Sequence, residues 1–394
     1  MNEAILTTEV QHFLRARIDT SPAALALQKS PFPEVSPAEL ANQLDGMKRC
    51  RKKLPLWFET VGIYYPSLLA IEQSSSALTA RYKSGLIAPG SSVIDLTGGF
   101  GVDSYYFAQR AARVIHCEIN ESLSAIAAHN TEQLQTKNIE FLAKDGLEYL
   151  RSTDEVFDFI YIDPSRRVKQ QKVFKLSDCE PDVVADSALL KQRGKVIIIK
   201  AAPLLDIQAA INELPGLTAI YIISVRNECK ELLFVIDKEK DDRPVTFHCA
   251  ALNGSAVQVL EFNEQLEKTS DPGFQDPETY LYEPDAALLK AGCFRYTAIH
   301  FGLSKLHQHT HLYTSNKLNK DFIGRRFAVE TTERYSEFKK NKKPLQGNVS
   351  TRNFPLKPEE LKKRHKIKDG GDRYLFFCTG AENQLLVVSC KKVG

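Results

Sequence analysis

The sequence has no CxxC pair among its eight cysteines, which are scattered over 394 residues. That spacing argues against a disulfide framework and against a zinc site, and fits reduced thiols in a cytoplasmic protein. It also lacks any apolar stretch near the roughly 18 residues that a membrane-spanning helix takes. The N-terminus, MNEAILTTEV, has no basic segment leading into an apolar one, so no signal peptide is expected. Internal repeats and low-complexity tracts are missing too. What remains is a soluble globular chain, long enough for two or three domains.

Its net charge of +3 conceals an asymmetry. Residues 316–373 carry about 17 Lys and Arg against about 8 Asp and Glu, and a second basic cluster, KRCRKK, covers residues 48–53. Clustered cations of this kind are an electrostatic footprint for nucleic acid or a plainly solvated surface. Near the C-terminal clusters stand Tyr335, Phe338 and Phe354, which offer stacking faces for bases or belong to a core.

The first 85 or so residues read as helical. Ser36-Pro37-Ala38-Glu39 has a Ser N-cap, Pro at N1 and Glu at N3, the signature of a capping box. From residue 91 the pattern alternates between strands and helices. Short apolar runs at 92–96, 114–118, 139–142, 158–162 and 195–200 predict strands, with helical segments such as 121–135 between them. Such alternation implies a parallel sheet covered by helices on both faces. Residues 219–225 and 231–236 suit an antiparallel pair at its end. Beyond residue 240 the mixture changes to an α+β region that closes with a hairpin, 374–378 and 385–390. The expected domains are therefore 1–85, helical; 86–240, α/β; and 241–394, α+β.

Four strand ends carry chemistry. VIDLTGGFGVDS (residues 93–104) runs from a strand ending in Asp95 through a glycine turn, Thr97-Gly98-Gly99-Phe100-Gly101, into a helix that includes Asp103. Glycines there let backbone approach a dinucleotide or S-adenosylmethionine. Ser104 stands where GxGxxG would have its last glycine. Glu118, ending the next strand, can accept from both hydroxyls of a ribose. Asp145-Gly146 follows the third strand, where the acid can receive an adenine amino group or simply cap a helix. Asp163-Pro164-Ser165-Arg166 follows the fourth, near the place where open α/β sheets bind ligands. An acid and a proline carbonyl there can hold an exocyclic amine and aim its lone pair.

These motifs, in this order, resemble class I S-adenosylmethionine-dependent methyltransferases. With EQSSSALTARYKSG, YLYEPDAALLKAGCF, LHQHTHLYTS and RNFPLKPEELKKRHKIKDGGD, the chain resembles a bacterial family that joins such a domain to a ferredoxin-like segment and a THUMP-like region. The resemblance implies a Rossmann-like catalytic domain with S-adenosylmethionine as donor. It places Asp95, Gly99 and Gly101 in the cofactor turn, with Thr97, Gly98 and Asp103 around it. Glu118 is implied at the ribose, Asp145 and Gly146 at the adenine, and Asp163, Pro164, Ser165 and Arg166 at the catalytic position. RNA, tRNA or rRNA, is the implied partner, with guanine N2 or another exocyclic amine as acceptor. The segment 73–76 is expected to close over the cofactor. Ser165-Arg166 departs from the Pro-aromatic pair of many amino-methylating enzymes. Other readings are a catalytically inactive RNA-binding or ribosome-assembly protein and an NAD-dependent dehydrogenase.

Two features remain open. Arg166 and Arg167 can grip a phosphate or stack on a base, or pair with Asp178, Glu180 or Asp182. His307, His309 and His311 alternate, which on a strand would put them on one face. Surface or hydrogen-bonded histidines are expected there, not a metal site.

Overall fold

The computed structural model describes residues 1–166, 175–240, 243–341 and 344–393. It divides into two units: Met1–Thr218 with Leu233–Arg243, and Ala219–Leu232 with Pro244–Gly394.

In the first unit the capping box forms as expected: Glu39 N–H donates to Ser36 Oγ at 3.2 Å and Ser36 N–H to Glu39 Oε2 at 2.8 Å. Helix α1 (Pro37–Lys53) continues from it straight through the basic cluster. Leu40, Leu44, Met47 and Cys50, at helical spacing, are its buried face. Helix α2 (Ala77–Ser84) leads to the sheet. The elements that follow are β1 (Ser92–Asp95), α3 (Val102–Ala108), β2 (Arg113–Cys117), α4 (Glu121–Gln133), β3 (Ile139–Leu142), α5 (Gly146–Ser152), β4 (Phe157–Ile162) and β5 (Gly194–Ala201). All five strands are parallel, in the order β5-β4-β1-β2-β3. The chain runs outward from β1 through β2 to β3, then returns to the other flank of β1 with β4. The order therefore reverses between β1 and β4, and Asp95 and Asp163 stand at the carboxyl ends of those two strands. That is where an open parallel sheet opens a crevice. The helical segment shares its core with this layer. Trp57 packs 5.0 Å from Tyr105 and 6.4 Å from Phe100, both in or beside the glycine turn.

Strands β6 (Leu217–Val225) and β7 (Glu228–Asp237) are joined by Arg226-Asn227, both at positive φ, 53° and 64°. Positive φ at both positions marks a two-residue hairpin turn. This hairpin is divided between the two units. In the second unit β8 (Thr246–Asn253) pairs in parallel with residues 219–225 of β6, and β9 (Ala256–Asn263) pairs antiparallel with β8. A separate seven-stranded sheet follows: β10 (Tyr280–Pro284), β11 (Ser304–His307), β12 (Thr310–Ser315), β13 (Gly324–Arg334), β14 (Asn348–Arg352), β15 (Arg373–Thr379) and β16 (Leu385–Lys392). Its order is β11-β12-β10-β13-β16-β15-β14, and α6 (Pro358–His365) lies between β14 and β15 in the chain.

Two open readings are decided here. The three alternating histidines do not share a strand. A turn at Gln308-His309 separates His307 on β11 from His311 on β12, because the polar QH pair closes a hairpin. His307 Nε2 meets Asn383 Oδ1 at 2.9 Å, and His311 stacks on Phe294 at 3.6 Å. Tyr335 and Phe338 are not stacking faces for bases. They are 7% and 4% exposed, in a core with Leu361 and Phe377 that Phe354 packs against. Burial removes more apolar surface from water than an exposed stacking platform would.

Candidate active site

Asp95 ends β1 with 1% exposure. Thr97 N–H donates to its Oδ1 at 3.1 Å and Ser104 Oγ–H to its Oδ2 at 2.6 Å. Ser104 Oγ also lies 3.0 Å from Nδ1 of His116, which is fully buried on β2. Burial pushes the Asp95 carboxyl up to about 7, with the Ser104 hydrogen bond opposing it, and pushes His116 down to about 3. The imidazole is therefore neutral near pH 7. A proton on Nδ1 lets it donate to Ser104, whose hydroxyl in turn donates to Asp95. Ser104 thus links the first acid to the second strand, a reason for serine where the fingerprint has glycine.

The glycines have distinct causes. Gly98 lies against the His116 ring, and a Cβ there would fall 2.1 Å from His116 Cε1. Gly99 has room for a Cβ but takes a φ of 55°, which side chains disfavour; Gly101 takes a φ of 80°, and a Cβ there would also fall 3.1 Å from Ala127 Cβ. Gly98→Ala is expected to destabilise the first unit by about 1–3 kcal/mol through overpacking. Urea unfolding followed by Trp57 fluorescence measures it, Trp57 being the chain's one tryptophan. A melting midpoint equal to wild type would refute the packing argument.

Glu118 follows β2 and braces the turn. Gly99 N–H donates to its Oε2 at 2.9 Å, and Asn120 N–H to its Oε1 at 2.8 Å. Asp145 caps α5, accepting from Glu148 N–H at 2.9 Å. Gly146 packs against the end of β1: a Cβ there would sit 2.5 Å from Leu96 O. The loop after β3 is thereby pressed onto the glycine turn. Asp163 donates its N–H to Thr97 Oγ1 at 2.7 Å, and its Oδ2 pairs with Lys200 at the end of β5. Ser165 is exposed, and Ser165–Arg166 pairs antiparallel with Cys179–Glu180. The Arg166 side chain and Arg167 lie outside the described residues, and so do the roles foreseen for them. Thr97 thus joins Asp95 to Asp163, Glu118 holds Gly99, Gly101 bonds back to Gly98, and Gly146, with Asp145 beside it, packs on Leu96 at the end of β1.

Asp103 points elsewhere. Lys83 Nζ lies 3.0 Å from its Oδ1, and Ser75 Oγ–H and Tyr161 O–H donate to its Oδ2 at 2.7 and 3.0 Å. Burial acts to raise this carboxyl. The charges of Lys83 and Lys200 and the Ser75 bond outweigh it and hold the group below the usual carboxylate range. This cluster ties segment 73–76 to the sheet through Ser75. Nearby, Lys53 Nζ donates to the carbonyls of Ile71 and Glu72, each at 2.7 Å. Burial first, and the charge of Lys200 second, push that amine down to about 8. Sequence reasoning missed Lys83, Tyr161, His116 and Lys200, and foresaw Ser75 only as part of segment 73–76.

The basic clusters are partly committed within the fold. Lys48 donates to Thr20 O, and Arg49 pairs with Glu72 at 2.6 Å. In the second unit Arg352 and Arg325 both pair with buried Glu283, Lys362 with Asp369, and Lys340 with Glu337. Lys339, Lys363 and Arg364 are exposed, and no ion pair engages them among the described residues. No group of three or more His, Cys, Asp or Glu that could hold a metal ion occurs among the described residues. Among the described residues, a concavity of about 470 Å³ lies along α4 and β3, and another of about 470 Å³ is bordered by residues 301–303, 315 and 317–321. Neither borders Asp95 or Asp163.

Family models describe residues 280–322 as a ferredoxin-like domain and 324–392 as THUMP domain-like. A crystal structure of a candidate methyltransferase from Porphyromonas gingivalis W83 is 32% identical, with a TM-score of 0.87. The match covers 100% of this chain and 99% of that one. This chain belongs to the same methyltransferase family. Its architecture is a class I, Rossmann-like methyltransferase domain followed by ferredoxin-like and THUMP-like parts. A Mycobacterium tuberculosis H37Rv protein described as an uncharacterised S-adenosylmethionine-dependent methyltransferase is 26% identical over 243 residues. The match takes in 60% of this chain and 62% of that relative, so it spans about three fifths of the relative's length. An uncharacterised RNA methyltransferase of Mycoplasma mobile is 32% identical over 84 residues, 21% of this chain and 23% of that protein.

Proposed function

We propose that the chain is an S-adenosylmethionine-dependent methyltransferase acting on tRNA or rRNA in the cytoplasm. The observation that carries this reading is the meeting of the glycine turn and Asp163 at the switch point, joined by the hydrogen bond from Asp163 N–H to Thr97 Oγ1. The donor set suits the cofactor: backbone exposed by glycines, a ribose-competent carboxylate at Glu118, and an acid at Asp145 beside the turn. S-adenosylmethionine, when bound, supplies a methyl group activated by a sulfonium. Asp95, Gly98, Gly99 and Gly101 would shape its seat, Glu118 would hold the ribose, and Asp145 and Gly146 would border the adenine.

Asp163 and the carbonyl of Pro164 would hold the acceptor, an exocyclic amine such as guanine N2. A conjugated amine is a weak nucleophile, so fixing its N–H groups on acceptors directs the lone pair. The proton that the methylated nitrogen sheds finds its first acceptor in Asp163. No helix among the described residues is long and apolar enough to cross a membrane. The THUMP-like match and the Mycoplasma mobile relative support RNA as substrate.

Mass spectrometry of modified nucleosides from tRNA and rRNA, with and without this protein in the cell, tests the reading. One methylated guanosine missing without the protein is the expected result, and an unchanged set sinks it. Exchanging Lys339, Lys363 and Arg364 for glutamine should weaken RNA binding. It should also reduce the slope of log affinity against log salt by roughly 2–3, if each cation neutralises one phosphate. A slope equal to wild type removes these residues from the RNA surface.

A further inference from the structure

The penultimate residue of strand β5 is Lys200, a lysine to which the motifs give no task. The register of the parallel pair sets Ile162 opposite Ile199. Asp163 and Lys200 are therefore the next residues on two adjacent strands, with side chains on one face. Lys200 pairs with Oδ2 of Asp163, its side chain 12% exposed and that of Asp163 32%. From the opposite flank, Thr97 Oγ1 takes the N–H of Asp163. The acid is held by both neighbouring strands at once: its peptide by the turn after β1, one carboxylate oxygen by the end of β5. Oδ1 has no partner among the described residues.

This arrangement has a chemical consequence. A carboxylate with both oxygens free can turn about its Cβ–Cγ bond and present either one. With Oδ2 tied to an ammonium, rotation carries the loss of a charge-assisted hydrogen bond at a half-buried site. Oδ1 then becomes a single acceptor of fixed direction. Holding a cation there is unfavourable in itself, because a mostly buried ammonium gives up hydration that an apolar side chain would never need. The strain shows nearby, where the charge of Lys200 adds to burial in depressing Lys53. Packing alone would be served as well by methionine.

We infer that Lys200 is the positioning residue of the acceptor site. It acts through Asp163, pinning Oδ2 so that Oδ1 alone meets one N–H of the acceptor amine, while the second N–H is left to a backbone carbonyl. The inference rests on the proposed role of Asp163. On this inference Lys200 acts only through Asp163, so its loss should spare binding and impair the transfer step.

The test uses the full chain, isotopically labelled S-adenosylmethionine, and total tRNA and rRNA from cells lacking the protein. Lys200→Gln should lower kcat about 10- to 100-fold, the size expected for a misdirected reacting group. KM for RNA and the calorimetric affinity for S-adenosylhomocysteine should stay within about threefold. Lys200→Arg, which keeps a cationic donor, should recover most of the turnover. In an Asp163→Asn background Lys200→Gln should have little further effect, since residues acting as a unit are not additive. Wild-type kcat in Lys200→Gln overturns the inference, and so does a parallel loss of cofactor affinity. Should Lys200→Gln fail to show the Trp57 unfolding transition, Lys200→Ala with added ethylammonium decides: rescue of turnover supports the role and no rescue refutes it. If the wild-type chain methylates none of these RNAs, the functional reading falls and takes Lys200 with it. Methylation by wild type with equal turnover in Lys200→Gln removes Lys200 alone.

Discussion

Lys83→Met is expected to destabilise the first unit by about 3–5 kcal/mol, the usual result of removing one partner from a buried ion pair. Lys83 and Asp103 side chains are 1% and 10% exposed, so solvent screens the pair little. Asp103 would keep the hydroxyls of Ser75 and Tyr161, but hydroxyl donors do not compensate a full buried charge. The pH dependence separates this account from a simple cavity effect. In the wild type the folded-state carboxyl lies below its unfolded value, so its contribution is present above about pH 4 and is lost as pH falls through the folded pKa. Without Lys83, burial becomes the dominant influence and raises the folded-state value. The sign then reverses: the variant should lose stability as pH rises from about 4 toward 8. Urea unfolding at pH 5 and pH 8, read by Trp57 fluorescence, measures both slopes. Lys83→Met/Asp103→Asn should recover part of the loss at pH 8, since position 103 then holds no unpaired buried charge. A pH-independent loss, or no recovery in the double variant, would show that the pair is not held by its charge.

The same cluster shows what the sequence discloses and what it hides. The five parallel strands were legible because each is a short apolar run between turn residues, and the helix start at Ser36 because its cap is a local pattern. Asp95, Glu118, Asp145 and Asp163 were legible as candidates for a related reason: an acid closing an apolar strand stands out against its neighbours. Ser75, Lys83, Asp103 and Tyr161 come from four separate elements, and nothing local marks a lysine that will be buried against an aspartate twenty residues on. His116 sits inside a strand, where one polar residue in an apolar run reads as an edge position until Ser104 is seen beside it. Lys200 is next to last in its strand and Asp163 stands just past the end of its own, and only the register between β4 and β5 pairs them. The placement of the alternating histidines stayed open for the opposite reason, since a period-two pattern looks the same through a tight hairpin as along a strand.

Asp163→Asn should reduce methyl transfer by about 10²–10³-fold, the range found when one preorganised electrostatic contact is removed from an active site. Asparagine is the sharper substitution because it preserves shape. Its carbonyl oxygen can take the place of Oδ2 opposite Lys200, which leaves the amide NH₂ where Oδ1 was. An N–H donor then faces the N–H of the acceptor amine, and the lone pair loses its orientation. Binding of S-adenosylhomocysteine should be unchanged within about threefold, because the contacts of Gly98, Gly99 and Glu118 do not involve this side chain. Alanine is less informative: it would strip Lys200 of a charged partner and mix a folding loss with the catalytic one. Single-turnover assays of the two forms, with calorimetry on both, separate the steps. Turnover at the wild-type rate in Asp163→Asn would end the acceptor assignment. A loss confined to cofactor affinity would move Asp163 from the acceptor side of the crevice to the donor side.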